Sequence, residues 1–183
     1  NIQGLGVGDA SDQGRLAIGR NKTGSTTDVW ITPDYILKWV HEEFGYVGLD
    51  AAADSDNSVA KHYIDEHMDA LTTPWISKDI VWCNPPYGKQ AKKFVQRALD
   101  EISNGHCSKV VMMLAVRTDT TMFQDLIFPN ASRIHFIKGR VKFKRGAGKP
   151  TKVQRPNFAS AIILFDGNRL STDPPLITYG VVN

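Results

Sequence analysis

Apolar positions fall into two alternating rhythms along this chain. Ile36, Leu37, Trp39, Val40 and Phe44 recur at helical spacing, and Gly45 ends the run. Thr32 is expected as the N-cap of this helix, with Pro33 at its first position and Asp34 in its first turn. Tyr46 to Asp50 reads as a short strand ending in a carboxylate. Asn57 to Tyr63 reads as a short helix, and Met68 to Leu71 fits no single pattern. Asp79 to Cys83 is apolar enough for a buried strand, as is Lys109 to Val116. Between them, Gln90 to Ile102 turns Phe94, Val95, Ala98, Leu99 and Ile102 to one helical face. Thr120 to Phe128 reads as a helix, and Arg133 to Phe143 and Phe158 to Phe165 as strands. Trp30 and Trp82 are expected to pack in the core, and Trp39 on the buried face of the first helix.

Strands alternating with helices predict an α/β sandwich on a mostly parallel sheet. No helix-length pattern separates the last two strands, so they are expected as an antiparallel pair. Residues 1–29 carry six glycines and no period, which reads as a polar arm or lid. Gly4-x-Gly6-x-Gly8 lacks a preceding strand and is not a nucleotide fingerprint. Residues 30–183 are then one domain, with a basic loop at about 138–157.

Apolar residues are 42% and charged residues 22% of the 183, ordinary globular usage that excludes a disordered tail or a fibre. The longest apolar run, Val110 to Val116, is far short of the roughly 20 residues of a membrane span. The first residues show no basic-then-apolar signal pattern, and two cysteines, Cys83 and Cys107, fit a reducing cytoplasm. His62, His67, His106 and His135 have no metal-ligand spacing with them, so no metal is expected. The net charge of +3 is unevenly spread. Lys138, Arg140, Lys142, Lys144, Arg145, Lys149, Lys152 and Arg155 lie within 18 residues that hold no acid, leaving the remainder net negative. One basic stripe on an acidic body suits a polyanion site.

Asn84-Pro85-Pro86-Tyr87 follows directly on a buried strand, and ligands bind beyond the carboxyl ends of such strands. Its chemistry fits one reaction. An exocyclic amine on a nucleobase is a poor nucleophile because its lone pair is delocalised into the ring. Two acceptors aimed at its N–H groups favour a more tetrahedral nitrogen. The Asn84 side-chain oxygen supplies one and the Pro85 carbonyl the other. A proline offers no competing N–H, and two in succession stiffen the turn. Tyr87 offers a face on which a base can stack, once it has been flipped out of the duplex. A sulfonium would supply the methyl group, and no strong general base is needed before transfer. Arg117-Thr118-Asp119 follows another buried strand and points to the same sheet edge, with Arg117 a candidate for the DNA backbone.

Further stretches agree with this reading in order: Trp30-x-Thr32-Pro33, Leu49-Asp50-Ala51-Ala52-Ala53, Asp69-Ala70-Leu71 with Trp75, Met113-Leu114-x-x-Arg117-Thr118-Asp119, Phe136-Ile137-x-Gly139-Arg140-x-x-Phe143 and Phe158-Ala159-Ser160. Together with Val81 to Tyr87, the sequence resembles the phage and prophage DNA N-6-adenine methyltransferases over about residues 30–165. The resemblance implies a class I S-adenosylmethionine-dependent methyltransferase fold, Rossmann-like, with an antiparallel last strand. It implies S-adenosylmethionine as methyl donor, S-adenosylhomocysteine as product and double-stranded DNA as partner, in the cytoplasm of a bacterial host. Catalysis would rest on Asn84, Pro85, Pro86 and Tyr87. Thr32, Pro33, Asp50, Ala51, Asp69, Ala70 and Asn84 would contact the cofactor. Arg117, Arg140, Lys142, Lys144, Arg145, Lys149, Lys152 and Arg155 are the expected DNA contacts, some of the arginines reading guanine edges.

One departure stands out. The usual glycine-rich loop after the first sheet strand reads Ala51-Ala52-Ala53-Asp54-Ser55-Asp56-Asn57, so the residue that holds the ribose is unassigned, with Asp54, Asp56 and Asn57 as candidates. A cytosine-N4 methyltransferase and a silent DNA-binding protein of the same fold are the alternatives. A monomer is the expected state.

Overall fold

The computed structural model describes residues 30–145, 152–154, 156–169 and 173–182. The arm or lid expected over residues 1–29 lies outside them. The order along the chain is β1 (Trp30–Ile31), α1 (Asp34–Phe44), β2 (Val47–Asp50), β3 (His62–Tyr63), β4 (Ile80–Cys83), α2 (Lys89–Ser103) and β5 (Lys109–Ala115). A π-helical segment, Met122–Ile127, then runs into the single turn α3 (Phe128–Asn130). β6 (Arg133–Ile137), β7 (Phe143–Arg145), β8 (Lys152–Gln154), β9 (Ser160–Asp166) and β10 (Leu176–Gly180) complete it.

Seven strands form the main sheet in the order β10-β6-β9-β5-β4-β2-β3. Every neighbouring pair is parallel except the two that β9 makes, with β5 and with β6. This is a Rossmann-like α/β sheet with one inverted strand, and the expected antiparallel pair is β6 with β9. The polar stretch after Asp166 carries no strand signal, yet β10 pairs parallel to β6 along the edge. Its Leu176, Ile177 and Tyr179 stay exposed, so no buried face wrote a period into it. A second sheet, β1-β7-β8, is antiparallel and ties the chain entering α1 to the basic hairpin.

The core lies on both faces of the main sheet. Trp82, Val111, Met113 and Ile162 pack with Ile36 and Val40 of α1. Val81, Cys83, Met112, Leu114 and Ile163 pack with Phe94, Val95 and Ala98 of α2 and with Phe123 and Ile127. The four residues of β4 are buried whichever way they point, which is why it reads as an unbroken apolar run. Trp39 is half-buried rather than central; its ring lies 4.6 Å from that of His135, with the Arg133 guanidinium 5.6 Å above it.

Three local expectations are corrected. Pro33, not Thr32, occupies the N-cap of α1, and its carbonyl accepts from Ile36 N–H at 3.0 Å. Asn57 to Tyr63 is not a helix. It is a turn closed by Asp54 and Asn57, followed by β3, because Leu49 and Asp50 pair with His62 and Tyr63 and tertiary pairing overrides a weak local pattern. Arg133 to Phe143 is not one strand. It leaves the main sheet after Ile137, turns at Gly139 (φ +86°) and rejoins the smaller sheet at Phe143.

One buried charge fastens the long β3–β4 connection to α2. Glu101 is fully buried. Its Oε2 accepts from the Trp75 backbone N–H at 2.6 Å and meets His106 Nδ1 at 2.8 Å. Arg97 lies 2.6 Å from Oε1 and also donates to the Thr73 carbonyl at 3.0 Å. The Trp75 indole donates to the Ala70 carbonyl at 2.9 Å, so Asp69-Ala70-Leu71 is held from below. Removing one member of a buried, hydrogen-bonded charge network strands the others. Glu101→Ala is therefore expected to lower unfolding free energy by about 3–5 kcal/mol, measured by denaturant titration. A loss under about 1 kcal/mol would show that the loop stands without it.

Candidate active site

All parallel strands of the main sheet end on one rim, and the chemistry-bearing residues collect there. β2 ends at Asp50, β3 at Tyr63, β4 at Cys83 and β5 at Ala115, while β9, running the other way, begins there at Ser160. Thr32 and Pro33, both buried, enter the same rim at the start of α1.

Asn84-Pro85-Pro86-Tyr87 leaves the tip of β4, and Gly88 (φ +96°) turns the chain into α2. That positive φ suits glycine and would strain other residues. The Tyr87 hydroxyl bonds Asn84 Oδ1 at 3.2 Å. The Tyr87 ring meets Phe158 edge-on at 4.8 Å between centroids and Phe143 at 6.5 Å. Burial pushes the Tyr87 phenol above its ordinary range, so it is protonated and donates to Asn84. An amide oxygen has two lone pairs, so one further donor can be accepted there. Burial also pushes the Cys83 thiol well above its usual value, and a neutral buried thiol is no nucleophile. Phe158 is a wall residue that the sequence pattern shows only as part of a matching stretch. A lone aromatic before a strand carries no signal until it is seen against Tyr87.

Beyond β2, Asp50 is almost fully buried and organises its own loop. Oδ1 accepts from Ala52 N–H at 3.2 Å and Oδ2 from Val59 N–H at 3.1 Å. The Asp50 carbonyl accepts from Ile64 N–H at 2.9 Å. Asp50 thus does by hydrogen bonding what a glycine-rich turn does by conformation, folding the loop tightly over the strand end. Asp54, Asp56 and Asn57 lie in a closed turn: Asp54 Oδ1 accepts from Asp56 and Asn57, and Asn57 Oδ1 from Asp54 N–H at 2.8 Å. Asp65 is a better placed carboxylate. It is half-buried two residues beyond β3, and among the described residues its side chain is engaged through Oδ1 alone, by Met68 N–H at 2.9 Å. The helix expected at 57–63 hides it, because that reading places no strand end there.

Asp69 is half-buried at φ +53°, the one non-glycine residue with positive φ among those described. Its Oδ1 accepts from Leu71 N–H at 3.0 Å, and Ala70 beside it is buried. Arg117 is exposed in the turn after β5, and Thr120 Oγ1 closes that turn on the Arg117 carbonyl at 2.7 Å. Lys138, Arg140 and Lys142 are exposed, while Val141 and Phe143 between and after them are buried. With Tyr35, Ile137, Val181 and Val182 these basic residues line a groove of about 370 Å³. Lys144, Arg145 and Lys152 enter only through the backbones of β7 and β8. Lys149 and Arg155 lie outside the described residues.

A family model described as DNA N-6-adenine-methyltransferase (Dam) matches residues 19–180. A DNA N-6-adenine-methyltransferase of Escherichia phage T1 is 29% identical over 125 residues, 68% of this chain and 51% of that protein. One of Haemophilus phage HP1 is 31% identical over 149 residues, 80% of this chain and 83% of that protein. The chain thus spans about half the length of the first relative and most of the second. A candidate RNA methyltransferase structure from Pyrococcus horikoshii is similar with a TM-score of 0.44 and 16% identity, over 72% of this chain and 80% of that one.

Burial pushes the Asp50 carboxyl up to about 6 from 3.8, outweighing the two backbone N–H groups that favour its charge. The folded state holds this proton more tightly than the unfolded chain, so its stabilising effect is complete below pH 3.8 and lost as pH rises through 6. The stability difference between the native chain and Asp50→Asn is therefore expected to change by about 2 kcal/mol from about pH 4 to about pH 7, in favour of the variant at the higher pH. Urea titrations at both values check it. An unchanged difference would mean that Asp50 ionises in the folded chain as it does in water.

Proposed function

The chain belongs to the DNA N-6-adenine-methyltransferase family, and from that premise we propose that it methylates the exocyclic amine of an adenine flipped out of double-stranded DNA. The observation that carries the reading is the tip of β4. There Asn84 Oδ1 and the two-proline turn stand beside an aromatic wall of Tyr87, Phe158 and Phe143.

Asn84 Oδ1 and the Pro85 carbonyl accept from the two N–H bonds of the target amine. Each bond draws the nitrogen away from conjugation with the ring and frees its lone pair. Tyr87 holds the Asn84 oxygen in place through its hydroxyl and supports the base with its ring, while Phe158 closes the edge of the slot. Pro85 and Pro86 keep both acceptors fixed, so little reorganisation is needed at the moment of reaction. The methylated amine is cationic and acidic, and its surplus proton is lost to solvent. No histidine or thiolate is required.

The donor set at the neighbouring strand ends suits S-adenosylmethionine, which supplies an electrophilic methyl carbon when bound. Asp50 shapes the Ala51-Ala52-Ala53 loop, and Asp65 offers a carboxylate to the ribose hydroxyls. Asp69 and Ala70 offer a polar and a small apolar neighbour to the purine. Thr32 and Pro33 close the α1 side. The acidic side chains complement a cationic donor.

Lys138 follows the end of β6 on the rim that carries Asn84, and Lys142 directly precedes Phe143, whose ring lies 6.5 Å from that of Tyr87, so a duplex placed in the groove of Tyr35, Lys138, Arg140 and Lys142 would lie at the rim of the extruded base. Arg117 is exposed and adds to the positive surface, and Lys144, Arg145, Lys149, Lys152 and Arg155 are kept as DNA contacts on their charge along the sequence alone. Among the described residues no helix is long and apolar enough to cross a membrane.

Incubation with methyl-labelled S-adenosylmethionine and mixed-sequence duplex DNA, followed by digestion to nucleosides, is expected to place label in N6-methyl-2′-deoxyadenosine. Label in N4-methylcytosine, or none, would overturn the reading. Asn84→Ala is expected to lower the rate by at least about 10²-fold, the scale of one preorganised polar contact at a reacting atom. Replacing Lys138, Arg140 and Lys142 together by alanine is expected to flatten the slope of log affinity against log salt by about 3. An unchanged slope would place the duplex elsewhere.

A further inference from the structure

Ser160 carries a buried polar atom that the proposed reaction has not yet used. The residue is 1% exposed, and its Oγ has no hydrogen-bond partner among the described residues. Native proteins rarely leave a buried hydroxyl unpaired, because its desolvation is then uncompensated. A small spacer would be served better by alanine. The hydroxyl therefore calls for a partner that arrives from outside.

Its place says which partner. Ser160 opens β9 and pairs with Ala115 at the end of β5, on the rim that carries Asn84. Side chains alternate along β9. Ala161 and Ile163 face α2, whereas Ile162 faces α1 in the cluster that holds Phe143 and against which Tyr87 packs. Ser160 shares the face of Ile162. Two residues before it, Phe158 touches Tyr87, with 4.8 Å between ring centroids. The orphan hydroxyl thus lies on the sheet face against which Tyr87 packs, at the rim where the Tyr87–Phe158 pair stands. A second orphan donor, Trp82 Nε1, lies on the same sheet face two residues before Asn84.

We propose that the Ser160 hydroxyl reads the extruded base, donating a hydrogen bond to a ring nitrogen of adenine while Asn84 and Pro85 hold its amine. This rests on the proposed methyl transfer to adenine. Asn84 Oδ1 and the Pro85 carbonyl are both acceptors and register only the amine. Adenine's ring nitrogens N1 and N7, which flank that amine, are acceptors and need a donor. A serine O–H supplies one, and it stays unpaired until the base arrives. Ser160 is in this sense a specificity-determining residue, because a base with N–H at the contacted position would oppose two donors.

The test is a two-way comparison of enzyme and base. The native chain and Ser160→Ala are assayed for methyl transfer to mixed-sequence duplexes in which every adenine is adenine, 1-deazaadenine or 7-deazaadenine. Ser160→Ala is expected to lower kcat/KM on adenine about tenfold, the scale of one net hydrogen bond. On the analogue that lacks the contacted nitrogen, the native chain and the variant are expected to transfer at equal rates. The melting temperature of the variant is expected to be unchanged or about 2–4 °C higher, since a buried unpaired group has been removed. Equal rates on adenine, or losses that multiply on both analogues, would overturn the proposal. Should Ser160→Ala not fold, Ser160→Cys, of similar size and a weak donor, takes its place in the same assay. A loss on adenine that vanishes on one analogue then supports the proposal, and equal rates on adenine overturn it. Failure of the native chain to methylate adenine at all would instead overturn the reading on which this one rests.

Discussion

The protein depends on a strand that has nowhere else to go. β4 is buried on both faces, with Trp82 turned to α1 and Val81 and Cys83 turned to α2. Hydrogen bonds to β2 and β5 fix its register on either side. A strand held in this way delivers its last residue to one point in space. Asn84 and the Pro85 carbonyl emerge at that point, and the two prolines keep the chain from relaxing there. A pair of acceptors that must meet one small amine tolerates little error, and β4 supplies the necessary stiffness.

The flanking loops are held by different means. The loop after β2 hangs on the Asp50 carboxylate and the β3–β4 connection on Glu101, each of them buried. Buried charge is costly: Glu101 meets it with Trp75 N–H, His106 and Arg97, whereas at Asp50 burial outweighs the two backbone N–H groups that the carboxyl gathers. Charge serves here as a latch for segments too irregular to be held by sheet pairing. The arrangement also explains how the chain manages without glycines after β2: backbone N–H groups that would line a tight glycine turn are gathered instead by one carboxylate.

Polar groups at the rim divide into two kinds. Asp50, Asp54 and Asn57 are spent on their own backbones, whereas Asn84, Asp65 and Ser160 retain bonding capacity. This division matters more than residue type in reading the site. Asp54 and Asp65 are both acidic and both near a strand end, but the first closes a turn and the second keeps one oxygen open.

The sequence alone determined the buried strands, the two long helices, the antiparallel pair and the Asn84-Pro85-Pro86-Tyr87 corner. Each is written locally, in an apolar run, a helical period or a restricted backbone. Tertiary structure decided everything that depends on a partner far along the chain. β3 is two residues long and exists because β2 lies beside it, so local pattern suggests a helix there and passes over Asp65. β10 is an exposed edge strand with no buried face to impose a period. Arg133 to Phe143 looks like one strand because apolar spacing does not record a change of sheet. Phe158 and Ser160 take on meaning only when folding sets them against Tyr87 and the end of β5, both far earlier in the chain. Local pattern specifies which segments will be buried; only the packed chain specifies what they are buried against, and a site is made of the second.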